Sequence, residues 1–428
     1  GDHRDLHSFP TRRSSDLVNA TIFTLIVAFI FVAIGNVNLV AGVISMFFLI
    51  TYGSLCLISF LNHFGSPPSY RPRFKSRWYF SLAGFLLSVW VMFQISPVYT
   101  IASYIIIIIL YLIIEHYNKE QKGVVNIFKG ALFQVNRAIQ VYMQKNYGDP
   151  DKEEWRPAAV CISSHSFERE KVLNLMKWIS YKHGFGTYFH FIEGYYSKQT
   201  FNESQQILAE LIDLQKEENN ALYIDTMISP SYTSAIAQVI QAPSISGMEN
   251  NMVLFEFDKD EPQEIERIID NIKLTKAGNF DVCIFAGSKF AIKYINGIHV
   301  WIRATDINNT NLMILLGYII LAHPDWRKSF IKIFSICSPQ NTDSTREELL
   351  ELIQAGRLPI TLTNIEIITS EGNQSISEII SERSKNAALT IMGFRDEKIK
   401  DVGSGFFNGF NELGDILFVN ASKSKEIK

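Results

Sequence analysis

The sequence predicts two fold classes in series: an α-helical membrane segment, then an α/β domain with a mainly parallel sheet. Two observations predict this. No Asp, Glu, Lys or Arg occurs between Asp16 and Arg71, and none from Trp78 to Ile114, whereas after Glu115 the charge density is that of a water-facing protein. Past Trp155, short β-rich apolar runs alternate with helical stretches, the pattern of βαβ units whose sheet is covered on both faces. The 428 residues exceed what one ordinary core needs, so two or more domains are expected.

Residues 1–17, GDHRDLHSFPTRRSSDL, are polar and without periodicity. They resemble a translated adaptor or vector leader, which would leave the N-terminal part of the protein missing. Residues 18–117 then hold four apolar segments: Val18 to Ile34, Leu39 to Leu61, Trp78 to Ile95 and Tyr99 to Ile114. Each is near or above the roughly 18 residues that license a membrane-spanning reading. Four charge-free runs would leave a soluble bundle no polar outer face. The loop between the second and third holds Arg71, Arg73, Lys75 and Arg77, and the exit holds Lys119 and Lys122. The positive-inside rule places both in the cytoplasm, and with them everything after residue 116.

Residues 118–150 form a linker. Within Gly123 to Lys145, Phe128, Leu132, Val135, Ile139 and Tyr142 recur at the spacing of one helical face. Such a stripe packs within its own subunit, on a partner or on the membrane underside. The acidic stretch around Pro150 marks a boundary, and residues 151–428 form the α/β domain. Its strands are read at Ala159–Ile162, Tyr188–Ile192, Leu222–Ile224, Met252–Phe257, Val282–Phe285, His299–Ile302, Ile331–Ile336, Ile365–Ile368 and Leu389–Met392. Two passes through the strand–helix rhythm suggest two related halves.

A formal net charge of −3 gives no basic footprint for nucleic acid. The four cysteines lack metal or disulfide spacing and are read as reduced, mostly buried thiols. His183 and His190 have no companion ligands at metal spacing, so no metal site is expected. Gly403, Gly405 and Gly409 lack the strand before and helix after that a phosphate cradle needs, and read as a loop. Gly184 and Gly186 read as a turn ahead of the strand at Tyr188. No nucleophile–base set can be assembled, so enzyme chemistry is not expected.

Tyr52 stands apart. A phenol near the middle of a membrane helix must find a partner for its O–H, since hydrocarbon supplies none. The partner is either a neighbouring helix's carbonyl or an anion crossing the membrane. A neutral donor in dry surroundings would suit chloride, holding it without a charge that impedes release.

FFLITYGSLCL, followed by SPPSYRPRFKSRWYF, resembles the tenth and eleventh membrane helices of the cation–chloride cotransporter family. EEWRPAAVCIS, GMENNMVLFEF, IHVWI, LLGYIILAHPDWRK and FNGFNELGDILFVNAS match further family landmarks in order, so the resemblance runs from Val18 to about Ala421. Tyr70 stands where many relatives carry Trp. The resemblance implies the last four helices of a LeuT-like twelve-helix transporter, symporting chloride with potassium, sodium or both. It implies a chloride-binding role for Tyr52, and a cytosolic domain with universal-stress-protein-like halves. It also implies homodimerisation through the last two membrane helices, the linker helix and the cytosolic domain. The alternatives are an amino-acid permease on the same scaffold, or a nucleotide-sensing cytosolic domain that takes ATP.

Overall fold

In the computed structural model, the described residues are 37–66, 76–117, 123–146, 155–215, 222–303, 306–355, 362–369 and 375–425, with scattered positions between 18 and 33. The expected first span and the cations Arg71, Arg73 and Lys75 therefore lie largely or wholly outside them. The chain divides into two compact units, residues 1–146 and 147–428.

The first unit is helical: α1 (Val37–Gly65), α2 (Trp78–Ile95), α3 (Pro97–Tyr117) and α4 (Gly123–Lys145). Among the described residues, two stretches, Val40–Gly65 and Trp78–Ile95, are long and apolar enough to cross a membrane, and Pro97–Ile113 is a shorter apolar helix. Small residues let α1 and α2 approach closely: a Cβ on Gly53 would meet Ser88, and one on Gly84 would lie 3.0 Å from Cys56 Sγ. Pro97 opens α3, as suits a first helical position without a hydrogen-bonded N–H. Thr100 then returns its hydroxyl to the Met92 carbonyl at 2.8 Å, joining α3 to the end of α2. The linker helix α4 crosses the end of α1 backbone to backbone, with Gln134 Nε2 donating to Gly65 O.

The second unit is a ten-stranded sheet in the order β3-β2-β1-β4-β5-β10-β9-β6-β7-β8. The strands are β1 (Ala158–Ser163), β2 (Phe185–Glu193), β3 (Leu222–Ser229), β4 (Met252–Asp258), β5 (Asp281–Gly287), β6 (Ile298–Ile302), β7 (Ile331–Cys337), β8 (Ile365–Thr369), β9 (Leu389–Gly393) and β10 (Asp415–Asn420). The helices are α5 (Glu170–Ser180), α6 (Lys198–Gln215), α7 (Tyr232–Gln241), α8 (Glu264–Ala277), α9 (Ile307–Leu321), α10 (Thr342–Ala355), α11 (Ile376–Ser384) and α12 (Asp396–Val402).

Counted outward from the middle, β5-β4-β1-β2-β3 and β10-β9-β6-β7-β8 are the same topology. The two expected halves are thus present, each parallel within itself. They meet at one antiparallel pair, β5 with β10, in which Phe418 faces Ile284. Alternate residues of each strand feed two separate cores: Cys161, Leu254, Cys283 and Leu417 on one face, Val160, Val253, Ile284 and Phe418 on the other. Runs such as VLFEF are apolar almost throughout because both faces are covered.

Some elements differ from the sequence reading. Strand β10 and helices α7, α8 and α12 were not foreseen. Gly186 is inside β2 rather than in a turn, because the strand already starts at Phe185. A Cβ on Gly186 would collide with the side chains of Ser180 and Leu222, so the strand needs glycine to pass under α5. Gly403–Phe407 forms a 3-10 turn rather than an open loop, entered at Gly403 with φ +60°. Cys161, Cys283 and Cys337 are buried, Cys56 is half-buried, and all four are free.

Candidate functional site

Tyr52 is placed at mid-height on α1. The residue is 62% exposed, and its ring stacks on Phe48 at 6.5 Å. Among the described residues nothing hydrogen-bonds its hydroxyl, so the phenol is left exposed on the helix.

In the second unit, a doubly wound sheet leaves a crevice where neighbouring strands send their connections to opposite faces, at the strands' carboxyl ends. The equivalent topology of the halves gives two such places, between β1 and β4 and between β6 and β9. The two differ in what fills them.

The second-half crevice is open, with a volume of about 310 Å³. Its walls are Trp301 and Ile302 from β6, Ile336 from β7, Met392 and Gly393 from β9, and Ile380 from α11. Phe406 and Phe410, after α12, close one side. Polar groups sit at the mouth: Arg303, Asp306, and Ser375 and Ser377 at the start of α11. Helix α11 begins there because Ser375 and Glu378 form a capping box, satisfying the first-turn donors. Trp301 is held by a stack on Phe334 at 4.5 Å and by Nε1 donating to Ser384 Oγ at 2.8 Å. Gly405 lines this crevice, so one of the three glycines read as a plain loop belongs to its wall.

The first-half crevice has a volume of only about 40 Å³. It is filled by the chain's own charges. Glu256, on β4, is 8% exposed, and its Oε1 has no hydrogen-bond partner. Burial pushes its carboxyl up to about 7, against the pull of the Ser163 hydroxyl and of Arg169. Arg169, just ahead of α5, is engaged elsewhere: Nη2 reaches Glu261 at 2.9 Å and Nη1 reaches Glu264, on α8, at 2.7 Å. Arg267 lies over the Tyr232 ring at 4.3 Å, and Tyr232 donates to Ile162 O. Nearby, Ser166 Oγ and His190 Nδ1 are 2.6 Å apart, and Tyr188 donates to the same hydroxyl. His183 and His190 thus serve different places, His183 against the Tyr318 ring and His190 in this network.

Arg169, Glu256 and Glu264 were not singled out in the sequence. Glu256 could have been, as the one charge inside the apolar run MVLFEF. Arg169 could not, since its partners are 92 or more residues away.

An apolar helical unit followed by a two-half, mainly parallel α/β sheet is the class that these features define. No family model matches the chain. Among curated proteins it is similar to Cation-chloride cotransporter 2 of Oryza sativa subsp. japonica, 24% identical over 364 residues, which are 80% of this chain and 35% of that protein. The chain therefore spans about a third of the length of that relative. Among solved structures, it is similar to the cytoplasmic domain of a prokaryotic cation chloride cotransporter, with 14% identity, 63% of this chain, 96% of that chain and a TM-score of 0.44. It is also similar to a universal stress protein from Archaeoglobus fulgidus DSM 4304, with 11% identity, 63% and 98% coverage and a TM-score of 0.39. The chain resembles the cation–chloride cotransporters.

Proposed function

We propose that the chain is part of a secondary active transporter, multi-pass in the membrane, that couples chloride to the movement of potassium, sodium or both. The observation that carries this is Tyr52, a phenol exposed on a charge-free helix in a chain resembling cation–chloride cotransporters. Facing an ion path, the hydroxyl donates to chloride as water is stripped away, and the low dielectric strengthens that bond. Cation ligands come from outside residues 37–117. The test is chloride-dependent cation uptake by a complete transporter carrying Tyr52→Phe: chloride affinity falls while surface expression holds. Unchanged affinity removes Tyr52 from the path. Competition of uptake by amino acids instead of chloride identifies a permease.

The partners in this reading are membrane lipid and a second copy, met through α2, α3, α4 and the α/β domain. The exposed Leu86, Leu87 and Trp90 of α2 and Leu132 and Ile139 of α4 supply apolar surface for both. Cysteine cross-linking of α2 to its counterpart tests the dimer.

A second reading concerns the α/β domain alone. The open crevice between β6 and β9, apolar within and polar at its mouth, favours a nucleotide such as ATP bound as a regulatory ligand. Calorimetric titration with ATP tests it, and a flat titration leaves the domain a structural and dimerising role.

A further inference from the structure

We propose that the first-half crevice is a proton-operated latch, in which protonation of Glu256 decides whether Arg169 is committed to α8. The crevice offers about 40 Å³, room for a few solvent molecules and far less than the second-half crevice. What it holds is an unbalanced set of charges. Glu256 projects from the centre of the sheet with one oxygen unpartnered. Among the described residues, the cavity's Arg169 carries two separate bonds to acids, one to Glu261 and one to Glu264.

Every element around Glu256 contributes to the balance. From β1 come the buried Cys161 thiol, pushed up by burial and by Glu256 itself, and the Ser163 hydroxyl. The Ser163 oxygen also accepts from the His165 amide, and the His165 ring stands 3.9 Å from Glu264. From β2 comes Tyr188 and from α7 Tyr232, both neutral phenols raised by burial. From β4 comes Asp258, and from α8 Glu264 and Arg267, the latter occupied by the Tyr232 face.

Two states follow. With Glu256 protonated, no buried carboxylate competes for Arg169, which stays on Glu261 and Glu264. With Glu256 ionised, a buried carboxylate is left beside one guanidinium shared by three acids, and the bonds of Arg169 to Glu261 and to Glu264 of α8 weaken. Burial as the leading cause places that ionisation close to neutral pH. The segment entering α5 and the first turn of α8 are therefore the parts that loosen. At its far end α8 is tied by Lys276 to Asp396 of α12, in the other half. A proton on Glu256 thus bears on an element that bridges the two halves.

Hydrogen–deuterium exchange on the full chain in detergent, corrected for chemical exchange rates, tests the latch. Between about pH 6 and about pH 8, wild-type amides at residues 164–169 and 264–268 lose protection several-fold, and in Glu256→Gln they stay protected throughout. An identical pH response in Glu256→Gln overturns the proposal. Infrared pH-difference spectra of the wild type supply a second reading that needs no folded variant at position 256. A protonated-carboxyl band that disappears over the same interval, and persists in Glu264→Gln, supports the latch; no such band overturns it.

Discussion

Lys171 and Asp415 are bonded at 2.8 Å across the junction of the two halves, one at the start of α5, the other at the start of β10. The Asp415 side chain is 2% exposed, and the same Oδ1 also accepts from Ser288 N and Ser288 Oγ. Lys171 spends its other protons on Ser288 O and Phe290 O, so the loop after β5 is gathered onto β10 by one pair of charges. Removing the acid strands a partly buried ammonium and two donors. Asp415→Ala is expected to cost about 3–5 kcal/mol, read as a fall in the denaturation midpoint of the α/β unit. Lys171→Met leaves a buried carboxylate held only by the Ser288 donors on Oδ1, so a loss of the same order is expected.

The crossing of α4 over α1 rests on an absent side chain. A Cβ on Gly65 would lie 3.0 Å from both the Gly130 carbonyl carbon and the Ala131 nitrogen, which are backbone and cannot turn aside. Gly65→Ala should therefore spread the helices, at about 1–3 kcal/mol. Gly130→Ala, whose Cβ would sit 3.5 Å from Gly65 Cα, should cost little. Thermal aggregation of the detergent-solubilised chain distinguishes the two, and equal melting of both variants would contradict the crossing.

His299 makes the α/β unit sensitive to acid. Trp301 Nε1 can only donate, so Ser384 Oγ accepts from it, and the same hydroxyl is hydrogen-bonded to His299 Nδ1, 2.9 Å away. Burial first, and Lys332 second, push the imidazole down from 6.5 to about 4. The unfolded chain binds the extra proton through that window, so stability is full above about 6.5 and falls as pH drops towards 4. The loss approaches about 3 kcal/mol. In His299→Gln the part of the acid destabilisation lying between these values should vanish, which a series of thermal midpoints against pH would show.

How far the sequence carried this architecture depends on the residue. The charge-free stretches around Tyr52 and Trp90 mark their helices by length and apolarity, and the β-rich runs report burial directly, so the apolar helices and nine strands were legible. Strand β10, DILFVN, was missed because it follows the irregular loop GFNELG with no helix between, and a lone six-residue run carries little periodicity. Its antiparallel pairing with β5 was beyond reach altogether, since alternation tells which faces are covered and not which way a neighbour runs. The same holds for the crevices. Gly405 and Arg169 owe their places to contacts far along the chain.

Gly405 offers a way to separate the ligand crevice from the fold around it. Only Val402 Cγ1, at 3.3 Å, stands within reach of a Cβ added there, so a side chain can be grown without striking backbone. Gly403, two residues earlier, has φ +60° and ψ −141°, which an L side chain resists. Gly405→Leu should therefore leave the melting midpoint nearly unchanged while occupying part of the 310 Å³ between β6 and β9. Gly403→Leu should lower the midpoint by itself, by about 1–3 kcal/mol of backbone strain. If ATP binds between Trp301 and Phe410, titration heat is lost in Gly405→Leu with the fold intact; binding that survives in Gly405→Leu would place the nucleotide elsewhere.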